Sequence, residues 1–209
     1  MKKLESSLVN MVLVLTVVAV VMGGVLAAVN GLTSGPIEQQ KEKALADGIK
    51  RVMACEGLTV AHTDTVCQMD AKGKEIVYVV YQTQDDEGTD LGAAVESTTM
   101  GFGGDLKVLV GFDPDGNILG YTLLEHAETP GLGAKADQWF QSGQKGDIIG
   151  RNPSEPLTVS KDGGQIDAIT ASTITSRAFL LAVNNAYKAY KMTPADATTD
   201  ATKQTLKEE

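Results

Sequence analysis

The chain has 209 residues, enough for one domain and a short additional element. Hydrophobic residues make up 43%, gathered unevenly toward the N-terminus, and a formal net charge of −9 with scattered Lys and Arg excludes a nucleic-acid surface. Cys55 and Cys67 form no CxxC pair, and His62 and His126 lie far apart, so no zinc or iron–sulfur site is legible; whether the two thiols join is left open.

Residues 1–7 are polar and hold Lys2 and Lys3. Leu8 to Val29 is apolar except for Asn10 and Thr16. Met11–Val29 is 19 residues, about 28 Å as a helix, against a bilayer hydrocarbon core of about 30 Å. A cleaved signal peptide is the alternative. The run exceeds the usual apolar core of such peptides, and Leu26-Ala27-Ala28 is a weak cleavage site, so an uncleaved transmembrane helix over 8–29 is the favoured reading. Lys2 and Lys3 then place residues 1–7 in the cytoplasm and everything after the span outside it, as in a single-pass protein of the cell inner membrane.

Asn30 to Pro36 is expected to break the membrane helix. A second helix is predicted from Ile37 to about Ala54, starting after Pro36 and carrying a sparse apolar stripe. With the indistinct residues 55–73 it makes a helical stalk and connector over 30–73. The domain proper is expected over 74–191. Glu75–Gln82 is rich in β-branched and aromatic residues and reads as a strand, and Leu91–Ser97 as a second. Gly101-Phe102-Gly103-Gly104 leads into a strand from Leu106 to Phe112. Asp113-Pro114-Asp115-Gly116-Asn117 is a turn, and Ile118–Leu124 returns as the partner strand of a hairpin. Trp139-Phe140 ends a short predicted helix. Gly143–Pro156 reads as a loop, Leu157–Ser160 as a short strand and Gln165–Ile169 as another edge. Residues 192–209 lose apolar periodicity and read as a disordered tail. The fold class is α+β: one N-terminal transmembrane helix, then an extracytoplasmic domain with an antiparallel sheet and packed helices.

Two stretches carry chemistry. In the first, Thr170, Ser172, Thr173, Thr175 and Ser176 cluster behind Asp167. Phe179, Val183, Ala186 or Tyr187, and Tyr190 then fall at helical spacing. The hydroxyls therefore sit where a helix begins, among N–H groups without intrahelical partners that favour an anion such as phosphate. From the pattern alone such a run is ordinarily only a cap. The second stretch is Glu128-Thr129-Pro130-Gly131-Leu132-Gly133, whose glycines let backbone approach a flat ligand closely. By chemistry alone it is an ordinary tight loop.

Asp167, Thr170, Ala171, Ser172 and Thr173 resemble the flavinylation motif of the FMN-binding domain family, Asp-x-x-Ser/Thr-Gly-Ala-Thr. Ala171 stands where that family usually has Gly, and Ser172 where it usually has Ala. Residues 128–133 match the family's other signature without substitution, and the Gly-aromatic-x-Gly stretch at 101–104 resembles its lead into a strand. The resemblance is closest to the G subunits of Rnf electron-transport complexes. The C subunits of sodium-translocating NADH:quinone reductases are the related alternative.

The resemblance implies FMN as cofactor, held by a phosphoester on Thr173 that a separate flavin transferase adds. It implies an electron-transfer subunit of a ferredoxin:NAD ion-translocating complex, with other membrane subunits as partners and no substrate site of its own. It points to Thr170, Ala171, Ser172, Thr175 and Ser176 around the phosphate. Glu128, Thr129, Pro130, Gly131, Leu132 and Gly133 would flank the ring, and Lys135 would pair with the phosphate or with Glu128. His126 is either a packing residue or a proton donor. No catalytic residue and no metal ligand is expected. A redox-silent anchored binding module is the competing class.

Overall fold

The computed structural model describes residues 8–55, 57–69 and 75–192. The predicted N-terminal segment 1–7, residue 56, residues 70–74 and nearly all of the predicted tail (193–209) lie outside the described residues. The chain divides into two compact units after Leu45.

The first unit is helical. Helix α1 runs Leu8–Val52 without interruption and contains Pro36. The expected break at Asn30–Pro36 is therefore absent. Proline removes one N–H and crowds the carbonyl a turn earlier, which costs about 3 kcal/mol but does not by itself redirect the chain. Thr33, one turn before, donates its hydroxyl to Val29 O at 2.8 Å and so stays within the helix. Nothing between Gly31 and Gly35 demands a left-handed residue, so the span and the predicted stalk helix are one. α1 is long and apolar enough to cross a membrane, and its apolar side chains from Leu8 to Val29 are exposed.

In the second unit five strands form one antiparallel meander, β1-β2-β3-β4-β5. They are β1 Thr59–Met69, β2 Glu75–Gln84, β3 Asp90–Met100, β4 Asp105–Phe112 and β5 Ile118–His126. β1 lies in the stretch expected to be connector. It is illegible in sequence because Thr59 to Thr63 are exposed, so no alternation of apolar and polar marks the first half of the strand. The other four agree with expectation, as does the 113–117 turn. There Gly116 adopts φ 88°, its N–H donates to Asp113 O at 2.9 Å, and Asn117 N–H donates to Asp113 Oδ1 at 2.7 Å.

Helix α3, Thr173–Met192, packs on one face of the sheet. Val95, Val108 and Val110 meet Phe179, Ala182, Val183 and Ala186 there, all fully buried. Phe179 stacks on Phe140 (4.3 Å between centroids) and meets Tyr121 edge-on (4.8 Å). Tyr121 donates its hydroxyl to Ala136 O (2.7 Å) and accepts from Phe140 N–H (3.1 Å), tying in the short α2, Ala136–Trp139. Burial pushes the Tyr121 phenol well above its ordinary value.

The opposite face takes the last turns of α1. Gly111 and Gly120 face each other across β4 and β5, and a Cβ on either would lie 2.5 or 2.9 Å from Val52 O. The absence of both side chains lets the helix end lie against the sheet, burying Ile49 and Val52.

The predicted strands at 157–160 and 165–169 reduce to one parallel bridge, Val159 with Ile166. Between them the chain folds back through a 3₁₀ turn, Ser160–Asp162, closed by Gly163 at φ 87°. Two glycines in succession favour this reversal over extended pairing. No disulfide joins Cys55 and Cys67.

Candidate functional site

β5 ends at His126, and the chain passes through Ala127 into the buried Glu128. Glu128 Oε1 accepts from the backbone N–H of Phe102 at 2.7 Å and of Gly103 at 3.3 Å. Oε2 accepts the Thr175 hydroxyl at 2.8 Å. One carboxylate thus joins the 101–104 loop, the 128–133 loop and the first turn of α3. A buried carboxylate requires such donors to offset the loss of water. The neighbouring glycines follow from it: a Cβ on Gly101 or Gly133 would run into the Glu128 carboxylate, and one on Gly133 would lie 2.8 Å from the Thr175 hydroxyl. Gly131 is needed for a different reason, its φ of 77° in the turn that Leu132 N–H closes onto Thr129 O (3.1 Å).

α3 begins at Thr173, the residue the sequence singles out. Ser172 N–H donates to Ile169 O (3.0 Å) and Ser176 N–H to Ser172 O (3.0 Å), which fixes the entry. Ala171 lies inside the first of these turns in left-handed conformation, φ 62°. That is why glycine suits this position in the resembling motif.

The two loops and the helix start enclose a cleft of about 400 Å³. Glu128, Thr129, Leu132 and Gly133 line one side, and Ala171, Ser172, Thr173 and Thr175 the other. Eight of the sequence-predicted residues, Glu128, Thr129, Leu132, Gly133, Ala171, Ser172, Thr173 and Thr175, therefore line one cleft, although about forty positions separate the two stretches. Phe102 and Ile174 complete the lining, and sequence reasoning does not place either there. Phe102, Ile174 and Leu132 are 69%, 53% and 43% exposed, a cluster of apolar groups at the cleft mouth. The glycine-aromatic pattern at 101–104 is the available signal for Phe102; Ile174 has none beyond adjacency to Thr173.

Other expectations move. The Ser176 hydroxyl is buried, donates to Ser172 O (3.0 Å) and accepts from Ile169 N–H (2.9 Å), so it is turned inward and committed to the helix entry. The Thr175 hydroxyl is given to Glu128, and only the residue's place in the lining remains for a ligand. Thr170, Pro130 and Gly131 are exposed and outside the lining. Lys135 is exposed at the end of a 3₁₀ turn, outside the lining, and the Glu128 carboxylate takes its hydrogen bonds elsewhere. The cation beside the hydroxyl of Thr173 is instead Lys161, whose Nζ donates to Oγ1 at 3.0 Å. Asp167 Oδ1 accepts from Ser160 Oγ at 3.3 Å, and its carbonyl accepts from Trp139 Nε1 at 2.8 Å. His126 is exposed at the strand end, opposite Leu106 in the register of β4 and β5. A smaller cavity of about 190 Å³, beside Val80, Asp90, Tyr190 and Lys191, contains none of these groups.

The cleft fits a flavin mononucleotide. Its volume falls in the range of cofactor pockets. Its lining offers apolar side chains for a ring and, for a phosphate, the Thr173 hydroxyl and the first N–H groups of α3, with Lys161 outside the lining bonded to that hydroxyl.

The family described as FMN-binding domain matches residues 101–188, and the RnfG N-terminal region matches residues 1–52. The G subunit of the ion-translocating oxidoreductase complex of Vibrio cholerae serotype O1 (strain M66-2) is 34% identical over 180 residues, covering 83% of this chain and 86% of that protein. The protein of the same name from Shewanella baltica (strain OS223) is 33% identical, covering 82% and 84%. That from Yersinia pestis is 34% identical, covering 78% and 80%. Among solved structures, the crystal structure of Shewanella oneidensis NqrC aligns with a TM-score of 0.49 at 15% identity, covering 74% of this chain and 100% of that one.

Proposed function

The chain belongs to the family of G subunits of ion-translocating oxidoreductase complexes, and from that premise we propose that it carries FMN as a phosphoester of Thr173 and relays electrons between neighbouring subunits. Its FMN-binding domain makes FMN the cofactor and electron transfer the role. The observation that carries the covalent reading is the position of the Thr173 hydroxyl, at the edge of a cleft whose opposite wall is the 128–133 loop.

Bound FMN supplies one- and two-electron redox chemistry, which a subunit without a nicotinamide site of its own can relay but not initiate. The protein's part is binding, orientation and electrostatics. Phe102, Leu132 and Ile174 would hold the ring and exclude water from its flanks. The backbone N–H groups at the start of α3 would bond phosphate oxygens, supplementing the ester. Glu128 keeps the cleft walls together and places a negative charge beside the ring site, which disfavours further negative charge there. An ester on Thr173 removes dissociation, which suits a carrier outside the cytoplasm. That location follows from Lys2 and Lys3 ahead of α1, with the span in the inner membrane and the domain on the extracytoplasmic side. A flavin transferase and the other membrane subunits of the complex are the partners this reading requires.

The test is the intact mass of the full chain, detergent-solubilised after co-expression with a flavin transferase, then denatured, with peptide mapping of 161–177. A gain of one FMN less one water on Thr173, absent in Thr173→Ala, is expected. An unmodified chain under conditions that flavinylate a control domain would sink the reading and leave an anchored, redox-silent module.

A further inference from the structure

Lys161 belongs to neither motif, yet its ammonium is the cation that touches the hydroxyl of Thr173, with Nζ 3.0 Å from Oγ1. Its turn is fixed from two directions. At the base, Val159 and Ile166 are buried in the core and bridged to each other, and Asp162 N–H donates to Val159 O at 2.8 Å. At the tip, Asp162 accepts two hydrogen bonds from Arg177, Nε at 2.7 Å and Nη2 at 2.6 Å. Arg177 is four residues beyond Thr173, one turn along α3. The pair therefore clamps the Lys161 turn to the same helix edge that presents Thr173. Arg177 is engaged by that clamp, which leaves Lys161 to face the acceptor oxygen.

We propose that Lys161 is the counter-charge of the phosphoryl group on Thr173; this rests on the reading of Thr173 as the flavin-bearing residue. Before modification its N–H holds the Thr173 hydroxyl at the cleft edge and favours negative charge on that oxygen. In the transfer, Oγ1 bonds to the flavin phosphorus as the P–O bond to the leaving phosphate of a flavin dinucleotide donor breaks. The leaving nucleotide takes the electron pair, and the hydroxyl proton passes to a base of the transferase; nothing is oxidised or reduced. Afterwards the diester carries one negative charge, shared by the non-bridging oxygens two bonds beyond Oγ1 and within reach of the same ammonium, and a charge-assisted hydrogen bond forms there.

The full chain in detergent would be modified by purified flavin transferase, reading covalent flavin fluorescence after denaturing electrophoresis against time and salt. Lys161→Met, which keeps the stem and removes the charge, is expected to slow incorporation roughly ten-fold or more, the usual scale for losing one charge-assisted contact. Its rate should also lose much of the wild-type salt dependence. Lys161→Arg should restore most of the rate, and the exposed Lys188→Met should match wild type. Wild-type kinetics in Lys161→Met would overturn the proposal, as would a loss that Lys161→Arg fails to restore. Absence of flavin from wild type itself, with a control domain modified, overturns the Thr173 reading instead, so the two failures are distinguishable.

Discussion

Ala171 holds a left-handed backbone, φ 62°, inside the Ile169–Ser172 turn that leads into α3. A Cβ in that region is crowded by the following carbonyl, at a cost of roughly 1–2 kcal/mol, partly offset by the greater chain entropy that glycine loses on folding. Ala171→Gly should therefore stabilise the protein by about 0.5–1 kcal/mol, or roughly 2–3 °C in a domain of this size. A thermal melt of the detergent-solubilised pair checks it; an unchanged or lowered Tm would mean that the turn carries no strain. The position is legible in sequence only as a departure from a pattern. Its conformation explains why the pattern has glycine there. Thr173, Leu132 and Gly133 are likewise legible, because the resemblance fixes them by spacing. Lys161 is not, since Lys161-Asp162-Gly163-Gly164 reads locally as a turn. Only the fold brings that turn to Thr173, twelve residues on.

The Ser160–Asp162 turn and α3 are joined by an exposed ion pair, so their coupling should depend on pH. The Arg177 guanidinium, through its hydrogen bonds, holds the Asp162 carboxyl below the usual carboxylate value. A lowered folded-state pKa means that the stabilisation is present in full above the ordinary value. It is lost as pH falls through the lowered one. The difference in melting temperature between wild type and Asp162→Asn should be small, since the pair is exposed, and constant above about pH 5. It should shrink toward zero in stronger acid. A difference that grew on acidification would contradict the assignment of the clamp. At this scale β2 to β5 are readable because they carry β-branched runs or turn signals. β1 is not, because Thr59 to Thr63 are all exposed and the inward positions that follow are Asp64, Val66 and Gln68, polar at two of three places. The continuity of α1 is also hidden, since Gly31, Gly35 and Pro36 permit a break without enforcing one.

The division after Leu45 assigns the last turns of α1 to the sheet-bearing unit rather than to the span. Ile49 and Val52 are buried in that unit, and Gly48 lies against Leu109, Thr122 and Leu124. A chain beginning at Ala46 keeps this cover and should fold as a soluble domain with one cooperative melt. A chain beginning at Ala54 uncovers the β4–β5 face. At about 1.5–3 kcal/mol for each large apolar side chain removed from burial, it forfeits about 3–6 kcal/mol from Ile49 and Val52. That is a large fraction of the 5–15 kcal/mol typical of a domain, so the shorter chain should melt far lower or aggregate through the exposed face. Equal denaturant midpoints for the two truncations would show that the helix end adds nothing, and that Gly111 and Gly120 are bare for another reason. The same pair bears on the site. The cleft is built from loops around α3, on the sheet face opposite the α1 end, so the Ala46 chain should accept flavin on Thr173 as readily as the full chain does. Flavinylation of the full chain alone would instead tie the transferase to the membrane span.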